Sequence, residues 1–380
     1  MTLFPMAVIT LFWKDEIGLS LGDILLLQGL FSLATLLMEY PSGYLSDRLG
    51  YRPALIVASL FGVAGWILYS VATTFNGVLL AELLLGVCFA FISGADTALL
   101  FETLKVQGRQ REYPRFDGRM TGLAQIGEAA GALLAGVIYA ASPRLPFELQ
   151  IGIWLLALAL ALALREIPVT VEESPTAPRS HLAAAWQVGH DALRDPYLRS
   201  TLILTTLLGI ASFYPVWLIQ PAMQENGVPL PWFGPIWAGA NITVALFSFY
   251  SHRAVAFFGI KSLLGLFTLL ILGGYLGLGL SHALGAFFFY YLLTAMRGLQ
   301  GPMFRHLLQQ ASQRHNRASI LSLKSFLFRL LFVATGPLIG QFADRSGLFN
   351  AFLLLCGLFA FTLLIAIPPF LRQLTIIKEV

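Results

Sequence analysis

Charge is the scarcest ingredient of this sequence. Only 12% of its 380 residues are charged and 57% are hydrophobic, whereas soluble domains carry about a quarter charged residues. The composition excludes an ordinary soluble domain and points to an all-α integral membrane protein surrounded by the lipid bilayer. Cysteine is almost absent. Cys88 and Cys356 lie inside apolar runs without metal-ligand spacing, so they read as packing residues. His181, His190, His252, His282, His306 and His315 fall in or beside polar loops, which argues against a metal site within the apolar layer. Strand alternation, a phosphate-cradling glycine loop and a nucleophile elbow are all missing. The expectation is no enzyme, no cofactor, no metal and no nucleic-acid partner.

What the chain does have is long apolar segments. Twelve can be counted, near 1–13, 21–46, 53–73, 78–104, 118–141, 148–165, 197–221, 230–251, 261–281, 283–309, 319–342 and 348–371. Each is meant to cross a hydrocarbon layer that takes about 20 helical residues. The first is short: from Thr2 to Trp13 a helix rises only about 18 Å, and it lacks the charged start and cleavage site of a signal peptide. One polar stretch, 166–196, separates residues 1–165 from 197–380. Its Pro168, Glu172, Glu173, Pro175 and Pro178 mark a linker, and Leu182, Trp186 and Leu193 fit a short helix lying in the membrane interface. The halves repeat weakly. Gly50-Tyr51-Arg52 aligns with Gly259-Ile260-Lys261, 209 residues on, Glu82 to Gly86 with Arg297 to Gly301, and Gly131 with Gly336. Two six-helix bundles are expected, with the first helix short by about a dozen residues relative to its partner.

The segment Gly43 to Pro53 is a charged, glycine-bounded connection between the second and third apolar runs. Glu39, Gly43 and Asp47 recur every four residues, so on a helix they share a stripe, with a small residue where a neighbouring helix can approach. Gly43, Leu45, Ser46, Asp47, Arg48, Gly50 and Arg52 closely resemble the G-x-L-[SA]-D-[RK]-x-G-[RK]-[RK] signature of major facilitator superfamily (MFS) transporters, with Tyr51 in place of a basic residue. The resemblance implies the MFS fold, a gate in which Asp47, Arg48 and Arg52 bind across the bundles, and Asp96 or Glu102 as the acidic partner. Gly118, Gly127, Gly131 and Gly136 match four of six positions of the glycine pattern of that superfamily's drug and proton antiporters, Ala132 and Ala135 replacing the others. Gly336-Pro337, Gly340 and Asp344-Arg345-x-Gly347 resemble its junction between helices 11 and 12.

Basic residues set the orientation. With the Asp47 turn on the cytoplasmic side, Lys105, Arg109, Arg111, Arg115, Arg253, Arg314 and Arg317 share that side, while Lys14, Arg144 and Arg345 fall outside. This predicts a multi-pass protein of the cell membrane with a cytoplasmic C-terminus.

Charges within apolar runs are the candidates for chemistry. Glu39, Glu82, Asp96 and Glu128 lie in the first half; Arg297, Lys324 and Arg329 lie in the second. Glu128, between Gly127 and Gly131, is the first proton-site candidate, because a proton neutralises a carboxylate where charge is costly. Glu82 is the second; its bland alternative is a side chain reached by water near the outer end of its segment. Arg297-x-x-Gln300-Gly301 resembles the superfamily's R-x-x-Q-G pattern, which usually lies in helix 4. Arg297 is expected to bind an anionic or polar substrate group, or else to form a structural ion pair. In the superfamily's fold helices 1, 4, 7 and 10 line the cavity, which nominates Tyr214 and Trp217 with Tyr290, Tyr291, Thr294 and Gln300. Asn241 and Arg329 complete the candidates, while Lys324 is expected to snorkel to the interface. The expected function is alternating-access transport of a small organic compound by a monomer, proton-coupled and outward. Uptake of an organic anion, and a non-transporting membrane sensor or scaffold, are the alternatives.

Overall fold

The computed structural model describes residues 4–165, 190–311 and 317–379, and these are helical with short connections. A 3-10 turn at Pro5–Ala7, one α turn at Ile9–Leu11 and a π turn at Phe12–Glu16 come first. There follow α1 (Leu21–Leu49), α2 (Tyr51–Val71), α3 (Phe75–Val106), α4 (Tyr113–Ala141) and α5 (Leu145–Ala163). Then come α6 (Pro196–Ala211), α7 (Tyr214–Glu225), α8 (Leu230–Leu280), α9 (Phe287–Ala311), α10 (Arg317–Ser346) and α11 (Leu348–Glu379). Nine helices among the described residues are long and apolar enough to cross a membrane. Residues 166–189, which carry most of the expected linker and interfacial helix, lie outside the described residues.

Helix starts follow local chemistry. Ser20 and Asp23 form a capping box on α1, the Ser20 hydroxyl accepting from Asp23 N at 3.1 Å and the carboxylate from Ser20 N at 3.2 Å. Thr74 caps α3 through Gly77 N at 3.3 Å, and Asp195 caps α6 through Leu198 N at 2.7 Å.

The charged connection at 43–53 is shorter than its composition suggests. Helix α1 runs on to Leu49, and Gly50 alone, at φ 98° and ψ 158°, turns the chain into α2. Only glycine adopts that conformation without strain, which costs other residues about 1–3 kcal/mol. Gly50→Ala is expected to lower the melting temperature of detergent-solubilised protein, and an unchanged melt would show that the turn relaxes. The stripe of Glu39, Gly43 and Asp47 is helical, but no described atom lies within 4 Å of where a Cβ on Gly43 would sit. Among the described residues no neighbouring helix uses that small residue.

Two compact units emerge. The first holds Met1–Glu172 with Pro229–Ala238 and Gly336–Gly340; the second holds Glu173–Val228, Gly239–Thr335 and Gln341–Val380. Within the first, a Cβ on Gly136 would strike the Leu230 carbonyl, and one on Gly340 would meet Gly22 Cα at 2.6 Å. Glycine is required at both positions because the opposing atoms are backbone, which cannot swing aside.

The 209-residue repeat is structural. Gly18 (φ 77°) and Gly227 (φ 71°) end equivalent helices, and Gly50 and Gly259 (φ 74°) break equivalent turns, the latter within α8. The three turns of Pro5–Glu16 occupy the positions of α7. Ser42 Oγ donates to Ala90 O at 2.9 Å in one unit, and Ser251 Oγ donates to Leu299 O at 2.6 Å in the other. That pair of bonds keeps the same offset through α3 and α9. It corrects the sequence alignment of the two helices: Tyr291, not Arg297, is the counterpart of Glu82, and Cys88 that of Arg297.

Candidate functional site

In the first unit one carboxylate is sealed in. Glu82, midway through the apolar first half of α3, is 4% exposed. The Tyr69 hydroxyl, from α2, donates to Glu82 Oε1. Gln28, itself buried on α1, bonds to the same carboxylate. The bland alternative of a wet Glu82 is therefore overturned, because α1 and α2 close over it. Aromatic rings form the walls: Tyr69 stacks on Phe147 of α5 at 5.4 Å and on Trp66 at 5.2 Å, and Phe12 lies 4.3 Å from Phe147. Arg144 does not enter the box. It donates to the carbonyls of Ser70 and Ala72, the latter at 3.0 Å, and lies over the Phe12 ring. Among the described residues the partners of Glu82 are thus neutral. Ionising it there costs several kcal/mol without a counter-charge, and a proton removes that cost. Glu128, in contrast, is half-buried on α4 and has contacts of its own.

Neither Tyr69 nor Phe147 was named from sequence, since nothing local marks them. Gln28 was not named either, although a lone amide in the run Leu25-Leu26-Leu27-Gln28 is a signal that marks it.

The second unit presents a cation. Arg297, near the middle of α9, is exposed, and among the described residues it has no hydrogen-bond or ion-pair partner. One turn on, the buried Gln300 has an Oε1 without a partner among the described residues. On the preceding turn Thr294 Oγ1 donates to Tyr291 O at 3.1 Å, while Tyr290 is buried beside the Arg297 charge. Helix α9 is held tightly to α8: a Cβ on Gly298 would lie 2.6 Å from Val244 O, and one on Gly239 would lie 2.5 Å from Tyr291 Oη. This seam fixes the direction in which Arg297 and Gln300 project.

Tyr214 and Trp217 pack within their unit. Tyr214 Oη and Thr335 Oγ1 bond at 2.6 Å, with the ring 5.9 Å from Phe332. Trp217 is buried 6.0 Å from Phe213. Asn241 is half-buried on α8, and Arg329, half-buried on α10, has contacts of its own. Two buried hydroxyls on α6 that are unpartnered among the described residues, Thr205 Oγ1 and Thr206 Oγ1, add polar atoms to the same unit; Thr205 was legible in its apolar run, and Thr206 was not singled out.

Around the Gly50 turn, Arg48 lies 4.6 Å from the Tyr44 ring centre, and Arg52 Nη2 donates to Leu162 O at 2.8 Å, satisfying a carbonyl at the end of α5. Glu39 is exposed, Asp96 Oδ1 accepts from Thr97 N at 2.7 Å, and Glu102 pairs with Lys105 at 3.6 Å. The Asp47 side chain lies outside the described residues.

The described residues thus combine a helical membrane fold and a structural repeat with a sealed carboxylate in the first unit and an exposed arginine within a helix of the second. The MFS family model matches residues 1–330, and the chain belongs to the major facilitator superfamily. Its family and its long apolar helices make it a multi-pass membrane protein. A relative from Bacillus subtilis (strain 168), multidrug resistance protein 1, is 23% identical over 201 residues, 52% of this chain. The match spans about half of that relative's length (49%). A crystal structure of a variant of the nucleoside transporter NupG superposes with a TM-score of 0.79 at 13% identity, covering 96% of this chain and 95% of that one. A bacterial homologue of the human lysosomal transporter Spinster, in an inward-facing and occupied conformation, gives 0.74 at 15% identity, covering 98% and 94%.

Proposed function

We propose that this protein is a proton-coupled secondary transporter that exports a small amphipathic organic compound by alternating access. The observation that carries the reading is the Glu82–Tyr69 pair, a proton-accepting group sealed among neutral partners in a membrane helix. Residues 1–165 and 197–380 form the two six-helix bundles, joined through 166–196. Protonation of Glu82 in one and substrate contact near Arg297 and Gln300 in the other bias the rocking of the pair. Glu128 is the reserve proton site. The multidrug resistance relative supports export, and the basic residues support a cell-membrane protein with a cytoplasmic C-terminus. Asp47, Arg48 and Arg52, with Glu39, Gly43, Gly50, Asp96 and Glu102, form the gate region. The protein works as a monomer.

Arg297, unpaired among the described residues, favours a second reading, uptake of an organic anion, because a guanidinium with five donors suits a carboxylate or phosphate. Proteoliposomes containing a pH dye separate the two. Lipophilic cations that drive proton movement support export by exchange. Organic anions that do so, with the response lost in Arg297→Ala, support uptake, and silence toward both in folded protein would sink proton coupling.

A further inference from the structure

We propose that the second unit carries a lipid-binding groove between α6 and α11, built for one anionic phospholipid of the surrounding bilayer. The groove encloses about 390 Å³ and is lined on one side by Arg199, Ser200, Ile203 and Leu207 of α6, and on the other by Thr362, Ile365, Pro369 and Gln373 of α11. Its walls are almost wholly apolar even where the residues are not. The Ser200 hydroxyl donates to Tyr197 O at 2.9 Å and the Thr362 hydroxyl to Leu358 O at 2.8 Å. Both spend their polarity on their own helix. Ile203 and Ile365 are exposed although each lies within a membrane span, so the groove opens toward hydrocarbon rather than into the core.

Polarity is confined to one end. Arg199 stands in the first turns of α6, and Gln373 lies in the last turns of α11, which places both at one membrane face. Asp195, the N-cap of α6, accepts from Leu198 N. Arg199 makes one long bond, to Leu193 O at 3.5 Å, and has no carboxylate partner among the described residues. From Arg199 to Leu207 the groove runs about 12 Å along α6, close to the depth of one leaflet of hydrocarbon at about 15 Å. A cationic mouth above an apolar channel of that length has the polarity of a single phospholipid, with the phosphate on Arg199 and an acyl chain along Ile203, Leu207 and Ile365. Arg199, the one charged residue lining the groove among the described residues, selects phosphatidylglycerol over a zwitterionic lipid.

Native mass spectrometry of the full chain, titrated with phosphatidylglycerol or phosphatidylcholine of the same acyl chains, tests this. Wild type is expected to retain one phosphatidylglycerol in preference to phosphatidylcholine. Arg199→Ala should cut that retention about fivefold, the effect of one basic side chain near an anionic head group, and leave phosphatidylcholine unaffected. Ile203→Trp and, separately, Ile365→Trp fill the channel and should reduce both lipids; a melting temperature equal to wild type in either one identifies the variant to be read. Equal retention of the two lipids by wild type, or undiminished retention by a folded tryptophan variant, would overturn the proposal. So would displacement of the lipid by a transported compound, which would make the groove a substrate site. None of these outcomes depends on proton coupling.

Discussion

Glu82→Gln is expected to abolish substrate-driven proton movement in proteoliposomes while leaving the fold intact. The amide has the size of the acid and can still bond to Tyr69 and Gln28 within the aromatic box, but it cannot gain or lose a proton at neutral pH. If proton exchange at Glu82 is the coupling step, the loss is essentially complete, and substrate counterflow without a proton gradient survives. Stability should change by less than about 1 kcal/mol, since no cavity forms and no charge is left unpaired. Tyr69→Phe provides the graded comparison. It removes one hydrogen bond to the carboxyl, about 1.5–3 kcal/mol if the group is charged, and should slow coupled transport without eliminating it. Proton movement that persists in Glu82→Gln and disappears in Glu128→Gln would transfer the role to Glu128.

Gly298→Leu is expected to be the most destabilising single change in the second unit. A Cβ there would lie 2.6 Å from Val244 O, 2.9 Å from Phe247 Cβ and 3.1 Å from Ser248 N, two of them backbone atoms and the third fixed to the backbone. No flexible side chain can yield, so α8 and α9 must separate. The 2.6 Å bond from Ser251 to Leu299 O, one turn further along the same seam, would be lost with them. Overpacking of this kind costs about 1–3 kcal/mol or more, and the lost bond adds about 1 kcal/mol. Because the same seam aims Arg297 and Gln300, substrate affinity should fall with thermal stability. Gly273→Ala is the control: its Cβ would meet Leu292 Cδ1 at 3.7 Å, an ordinary contact, and should be neutral. A Gly298→Leu protein that melts with wild type would show that the seam can open without cost.

The lone arginine and the buried glutamate differ in how they were found. Arg297 was visible because a charge in an apolar run is conspicuous in any membrane sequence. Its lack of a partner among the described residues was not, because that depends on the helices around it. Glu82 was visible for the same reason, yet its position near the end of an apolar run suggested water. Burial came from α1 folding over it, with Gln28 on the covering face. Tyr69, thirteen residues before Glu82 and across a helix turn, carries no local mark of its role. The gate residues show the reverse case: the motif was unmistakable in sequence, while Arg52 spends one of its bonds on Leu162 O, a partner no motif encodes.

By itself the sequence determined the membrane environment, the order of the helices and the family, because hydropathy and glycine punctuation are local properties that the bilayer reads directly. Helix starts followed within about five residues, as at α6, expected from 197 and observed from Pro196, whereas the segment expected over 197–221 breaks after Ala211 and that expected to end at 371 runs on to Glu379. Gly50 and Gly259 were legible as punctuation, and their 209-residue spacing gave the repeat. Tertiary structure alone decided which residues of the repeat correspond through α3 and α9, since the serine-to-carbonyl bonds at Ser42 and Ser251 fix that register and the alignment of charged residues misplaced it. It also decided that Glu82 is dry, that Tyr214 packs against Phe332 and bonds to Thr335, and that α6 and α11 leave a groove between them. Each of these depends on which helix faces cover one another, a contest among nearly equivalent apolar surfaces that no single stretch of sequence records.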